Sequence, residues 1–133
     1  MLNNSSYILS LTFCCLLSVS CGGAIPSLPP QSWADFQINV ETRPTQAIAG
    51  MNEFIILATR EKGKVANKLI ISLRINEEGQ WHQAIQDGYV GAYRKALLVK
   101  NPQQDVLFVR IEYDNREGIL AFPLKEQKIR PDS

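Results

Sequence analysis

Apolar residues that recur at every second position constrain the fold of this chain more than any other feature. In residues 35–41 the apolar side chains are Phe36, Ile38 and Val40, and polar residues alternate with them. Because successive side chains of a β-strand point to opposite faces, this alternation predicts a strand with one buried face. No stretch after the first 32 residues has the apolar spacing of a helix, so the sequence predicts an all-β domain.

Seven short segments of this kind follow one another, and turn residues such as Gly, Pro, Asn and Asp separate them. Strands do not alternate with helices, which argues against folds built on a parallel sheet. Seven strands in about 100 residues predict an immunoglobulin-like antiparallel β-sandwich, with a small barrel as the alternative. The predicted strands cover residues 35–41, 53–59, 69–75, 81–85, 89–99, 107–113 and 120–124.

The alternation also predicts which side chains fill the core. In a sandwich, the apolar face of each strand packs against the opposite sheet. The predicted core residues are Phe36, Ile38, Val40, Leu69, Ile71, Leu73, Val109, Ile111, Leu120 and Phe122.

The first twenty residues differ from the rest because they carry no charge, although the chain has 14 basic and 13 acidic residues. Residues 7–19 form a largely apolar run of thirteen residues. A helix needs about 20 apolar residues to cross a bilayer, so this run is too short to span one. Its length is typical of the apolar region of a signal peptide.

The end of this run, Ser18-Val19-Ser20-Cys21, resembles the lipobox of bacterial lipoproteins, although Ser18 stands where Leu is usual. The resemblance implies cleavage before Cys21 and a lipid on the Cys21 thiol, so that a membrane is a partner of the protein. Gly22 rather than Asp follows the cysteine, which favours the periplasmic face of the outer membrane over the inner membrane. The alternatives are cleavage without lipidation, which gives a soluble exported protein, an uncleaved anchor, and a misplaced start codon.

These features divide the chain into four parts. Residues 1–20 are a signal peptide, 21–32 the lipidated cysteine and a tether rich in Pro and Gly, 33–124 the sandwich, and 125–133 a polar tail. The three cysteines all lie in the first 21 residues. The sandwich therefore has no internal disulfide and no cysteine metal site.

Three short motifs rich in turn residues stand in the middle of the chain: Pro44-x5-Gly50-x-Asn52-x-Phe54, Gly63-Lys64-x-Ala66 and Gly88-Tyr89-Val90-Gly91-Ala92-Tyr93. These motifs resemble the YtkA-like and FixH-like exported β-domains over roughly residues 40–124. The resemblance implies an immunoglobulin-like sandwich in the cell envelope, and some relatives are associated with copper handling or respiratory oxidase assembly. Copper-handling domains use clusters of Met and His, whereas after Met1 this chain has only Met51 and His82.

No arrangement typical of catalysis or metal binding stands in the sequence. His82 is the only histidine, so a transition-metal site or a Ser-His-Asp triad lacks its usual groups. The carboxylates of Glu77 and Glu78 are adjacent in a predicted turn, where neighbouring side chains point apart into water. A net charge of +1 gives no electrostatic reason to expect nucleic acid. The sequence predicts a protein that is not an enzyme, with no cofactor, no metal site and no nucleic-acid partner.

Three further apolar side chains are predicted on an outer face. Ile70 alternates with the predicted core residues of one strand, and Val106 and Phe108 alternate with those of another. In an immunoglobulin-like order these two strands are neighbours, so the three side chains would lie close together. A contiguous exposed apolar patch often marks an interaction site. We therefore predict a partner-binding face at Ile70, Val106 and Phe108, with coverage by the tether or the tail as the alternative.

These observations predict a membrane-tethered, non-catalytic binding or assembly module of the bacterial cell envelope, with an envelope protein as its partner. The resemblance to exported β-domains supplies the alternative. Under that alternative the protein is a periplasmic carrier of a metal or small ligand, or an accessory protein of a respiratory or copper-handling system.

Overall fold

The structure, a computed structural model, describes residues 28–125. Nine strands and one short 3-10 turn at Glu61–Gly63 make up its regular structure. Among these residues, no helix is long and apolar enough to cross a membrane. The strands are β1 (Leu28–Trp33), β2 (Phe36–Arg43), β3 (Gly50–Thr59), β4 (Ile70–Ile75), β5 (His82–Gln83), β6 (Ile85–Asp87), β7 (Ala92–Val99), β8 (Val106–Tyr113) and β9 (Arg116–Pro123).

The strands form two antiparallel sheets that pack face to face. The first sheet has the order β1-β2-β3-β7-β6, and the second has the order β5-β4-β8-β9. Immunoglobulin-like domains place strands A-B-E-D against C-F-G, with C′ beside C where it is present. The order β2-β3-β7-β6 against β5-β4-β8-β9 matches that arrangement, with β1 added at one edge. The predicted all-β sandwich is confirmed.

The strand count and one domain boundary differ from the prediction. The predicted strand at residues 81–85 divides at the buried Ala84, so that β5 pairs in the second sheet and β6 in the first. The predicted tether at residues 21–32 is too long, because β1 begins at Leu28 and pairs with β2. Pro29 and Pro30 have no N–H to donate, and an edge strand tolerates that loss. The predicted signal peptide, the predicted lipidated cysteine and all of the predicted polar tail except Lys125 lie outside the described residues.

Three other strands begin at least three residues away from their predicted starts. The strand predicted from residue 53 begins at Gly50. The strand predicted from residue 89 begins at Ala92, after Gly91, whose φ of +71° is that of a turn. The strand predicted from residue 120 begins at Arg116. Gly118 therefore lies inside β9, and the ring of Trp33 occupies the space that a larger residue would fill there.

The predicted core lies between the sheets. Nine of the ten predicted core residues are buried, and Leu120 is half-buried and packs against the others. Ile71 on β4 pairs with Ile111 on β8, and both side chains have an exposed fraction of 0%. The two-residue repeat therefore assigned the inward faces of β4 and β8 correctly.

Tyr93 on β7 ties the first sheet to the segment that leads into β4. Its buried hydroxyl donates to the Ala66 carbonyl at 3.0 Å and accepts from the Leu69 N–H at 3.1 Å. Burial raises the pKa of Tyr93, and the hydrogen bond from Leu69 partly offsets that rise. The neutral phenol is therefore a cross-sheet link that serves two buried backbone groups.

Candidate functional site

The outer face of the second sheet carries the side chains that alternate with the core. Because Ile71 and Leu73 point inward, the residues between and beside them on β4 point outward. The same holds for β8, where Leu107, Val109 and Ile111 are buried. The outward residues are Ile70, Ser72 and Arg74 on β4 and Val106, Phe108, Arg110 and Glu112 on β8.

The structure brings two of the three predicted partner-binding residues together and leaves the third apart. Val106 and Phe108 are next neighbours on the outer face of β8, and both are half-buried. Ile70 pairs with Glu112, whereas Phe108 pairs with Arg74. At about 3.3 Å per residue, Ile70 and Phe108 lie at least roughly 13 Å apart along the strands. The three side chains therefore do not form the contiguous apolar patch that the sequence predicted.

Arginine and tryptophan side chains occupy the middle of this face. The guanidinium carbon of Arg74 lies 4.3 Å from the ring centroid of Trp81, and that of Arg110 lies 4.6 Å from the same centroid. Arg74 also lies 5.3 Å from the ring of Phe108. These distances are those of cation–π contacts. We call Arg74, Trp81, Phe108 and Arg110 the arginine–tryptophan cluster.

Strand β5 holds Trp81 over this face. His82 pairs with Leu73, and Gln83 pairs with Ser72. Because side chains alternate along the chain, His82 turns toward the core side and Trp81 turns outward. Ser72 pairs with Arg110 on its other side and has an exposed fraction of only 4%, although it lies on the outer face. The larger side chains around Ser72 therefore cover it.

The two arginines of the cluster have no anionic partner within residues 28–125. Two other arginines do have anionic partners. Arg60 lies 3.7 Å from the Asp35 carboxylate. Arg94 forms ion pairs with Glu53 and Asp87. In the cluster, the Nε atoms of both arginines are buried, and neither has a hydrogen-bond partner among the described residues.

Arg74 and Arg110 are both half-buried, so part of each side chain remains exposed to water. The face therefore offers planar N–H donors, positive charge and aromatic surface. Groups of these kinds can contact anionic and aromatic partners.

A second candidate is an open pocket of about 330 Å³ between the sheets, next to the turns at residues 76–81 and 100–105. His82 and Glu78 line it, and so does the buried carboxylate of Asp105. No group of three His, Cys, Asp or Glu residues in the described part of the chain is arranged to hold a metal ion.

The Asp105 carboxylate in this pocket already accepts hydrogen bonds from other groups of the protein. It accepts the N–H groups of Lys100 and Asn101, both at 2.9 Å, and the side-chain amide of Asn76 at 3.0 Å. Burial alone would raise the pKa of Asp105, but the hydrogen bonds from Asn101, Asn76 and Lys100 together lower it below its ordinary value. Asp105 therefore fastens two turns, and we assign it a structural role.

The sequence contained a signal for the cluster that the prediction did not use. Arg74 and Arg110 both occupy outward positions of strands that were predicted to be neighbours. Trp81 stands at the start of the next predicted strand, and its contact with the arginines was not predicted. The register between β4 and β8, which places the two arginines diagonally across from each other, is visible only in the structure.

No protein-family model, no curated protein and no solved structure matches this chain. The candidate site therefore stands on its own residues and their geometry.

Proposed function

We propose that this protein is a non-catalytic binding module of the bacterial cell envelope, held to a membrane by a lipid on Cys21. Its binding face for another envelope protein is the arginine–tryptophan cluster together with Val106. The observation that carries this proposal is the pair of half-buried arginines stacked on Trp81, which have no ion pair among the described residues. Arg and Trp, together with Tyr, are enriched among the residues that dominate protein–protein binding energies.

The place of the cluster fits a tethered protein. The first described residue, Leu28, pairs with Val40 at the outer edge of the first sheet, whereas the cluster lies on the second sheet. The seven residues from Cys21 to Leu28 span at most about 25 Å when extended. A lipid at Cys21 would therefore hold the sandwich near a bilayer and leave the cluster open to a neighbouring protein.

The test compares two glutamate substitutions in the full-length chain, produced in its own cells and crosslinked before purification. Phe108→Glu removes an aromatic ring from the cluster and places a carboxylate beside Arg74. Met51→Glu is the matched control, because Met51 is 59% exposed on the outer face of the other sheet. We expect Phe108→Glu to lose the crosslinked envelope partner and Met51→Glu to keep it.

Both variants are first checked for a cooperative urea transition like that of the parent. A folded Phe108→Glu variant that keeps the partner contradicts the proposed face. A Cys21→Ala variant tests the anchor separately, since we expect it to leave the membrane fraction or to accumulate as an unprocessed precursor. Unchanged membrane binding and processing of that variant would overturn lipidation at Cys21.

A further inference from the structure

We infer that the binding partner is an acidic protein segment, and that Arg74 and Arg110 together receive one of its carboxylates. This inference rests on the proposed function and names the chemistry of the partner at the same face. It follows from the state of the two arginines, from the groups around them, and from the distribution of charge over the rest of the face.

The two arginines form a concentration of like charge without a counterion in the described part of the chain. Both guanidinium groups contact one indole ring, at 4.3 and 4.6 Å. The ring offsets part of their mutual repulsion, and a carboxylate between them would offset more. Guanidinium groups present parallel N–H donors that match the two oxygens of a carboxylate. Stacking on Trp81 holds both groups in place before the carboxylate arrives, which lowers the entropic cost of binding.

The groups beside the arginines favour a protein segment over an anionic membrane. Glu112 on β8 pairs with Glu117 on β9 further along the same face, and neither carboxylate has an ion pair among residues 28–125. A uniformly anionic bilayer would meet these glutamates as well as the arginines and would be repelled by them. A protein segment can place a carboxylate at the arginines alone and an apolar side chain against Phe108.

The experiment uses Trp81 as its own reporter. The chain has two tryptophans, so Trp33→Phe in the full-length chain leaves Trp81 as the only source of tryptophan emission. This protein, in neutral detergent micelles at low salt, is titrated with an oligo-glutamate peptide and with an oligo-glutamine peptide of the same length. We expect a saturable change in Trp81 emission with oligo-glutamate only, and we expect the midpoint to rise with salt because screening weakens the attraction.

Three variants in the same background locate the binding. Arg74→Gln and Arg110→Gln should each weaken oligo-glutamate binding at least about tenfold, because each removes one of the two guanidinium groups. Arg110→Lys keeps the charge but loses the planar donors, so we expect an intermediate affinity. Arg43→Gln is the charge-matched control, since Arg43 is exposed on β2 of the other sheet, and it should bind like the parent.

Several results would overturn the inference. These are the absence of a saturable change up to about 1 mM peptide, equal binding of oligo-glutamine, and equal affinity in folded arginine variants and in the parent. Tighter binding to phosphatidylcholine vesicles that contain phosphatidylglycerol than to oligo-glutamate would also overturn it in favour of a membrane. If oligo-glutamate fails to bind while Phe108→Glu still loses the envelope partner, the acidic segment is wrong and the proposed face stands. If oligo-glutamate binds but Phe108→Glu keeps the partner, the carboxylate site stands and the proposed protein interface is wrong.

Discussion

Removal of the Tyr93 hydroxyl is the sharpest test of how the two sheets are held together. Tyr93→Phe keeps the buried ring but deletes the group that donates to the Ala66 carbonyl and accepts from the Leu69 N–H. Each net hydrogen bond contributes about 0.5–1.5 kcal/mol, and a buried group left unpaired costs about 1–3 kcal/mol. We therefore expect the free energy of unfolding to fall by about 2–4 kcal/mol, a large part of the 5–15 kcal/mol that is typical of a domain.

Equilibrium unfolding of the full-length chain in urea, followed by tryptophan fluorescence, measures this change. Tyr113→Phe is the matched control, because the Tyr113 hydroxyl has no hydrogen-bond partner within the described residues and its loss should change stability by less than about 0.5 kcal/mol. Because burial raises the pKa of Tyr93, its neutral form stabilises the fold below the ordinary pKa of tyrosine, and that stabilisation is lost as the pH rises through the folded value. A change below about 0.5 kcal/mol for Tyr93→Phe would refute the cross-sheet link.

Two other predictions concern the turns. Gly63 and Gly91 have nearly the same φ, +70° and +71°, but an added Cβ meets nothing at Gly63 and would lie 2.6 Å from the Ala58 carbonyl oxygen at Gly91. Gly63→Ala should therefore lower the free energy of unfolding by about 1–2 kcal/mol, and Gly91→Ala should lower it by about 1–3 kcal/mol more. Equal urea midpoints for the two variants would contradict the assigned turn at Gly91. The hydrogen bonds that lower the pKa of Asp105 stabilise the fold above the ordinary pKa of aspartate, and this stabilisation is lost as the pH falls through the folded value. Asp105→Asn should thus lower stability by about 1–3 kcal/mol at neutral pH, with a difference that shrinks in acid, and a difference independent of pH would contradict the assigned role.

The repeat of two residues predicted the sandwich because it reflects burial of one strand face, which is a local property of the sequence. It predicted the inward faces of β4 and β8 through Ile71 and Val109 for the same reason. It did not predict β1, because Pro29 and Pro30 argue against a strand and only pairing at a free sheet edge permits one. Nor did it predict the change of sheet at Ala84, which depends on how the two sheets meet in space.

The candidate site was less accessible to sequence reasoning than the fold. Alternation correctly placed Phe108 and Ile70 on an outer face, but it could not fix the register that separates them along β4 and β8. The contact between Trp81 and the two arginines joins β4, β8 and the residue before β5. A contact among three segments depends on tertiary packing, so it is not determined by any one of them.

Site-specific photo-crosslinking from position 108 tests the central claim most directly. A photoreactive amino acid replaces Phe108 in the full-length chain, and a second protein carries it at the exposed position of Met51 on the other sheet. We predict a discrete crosslink to one envelope protein from position 108, none from position 51, and loss of the crosslink when Arg74 and Arg110 are both replaced by Gln. A crosslink from position 51 alone, or none from position 108 in folded and membrane-bound protein, would contradict the account.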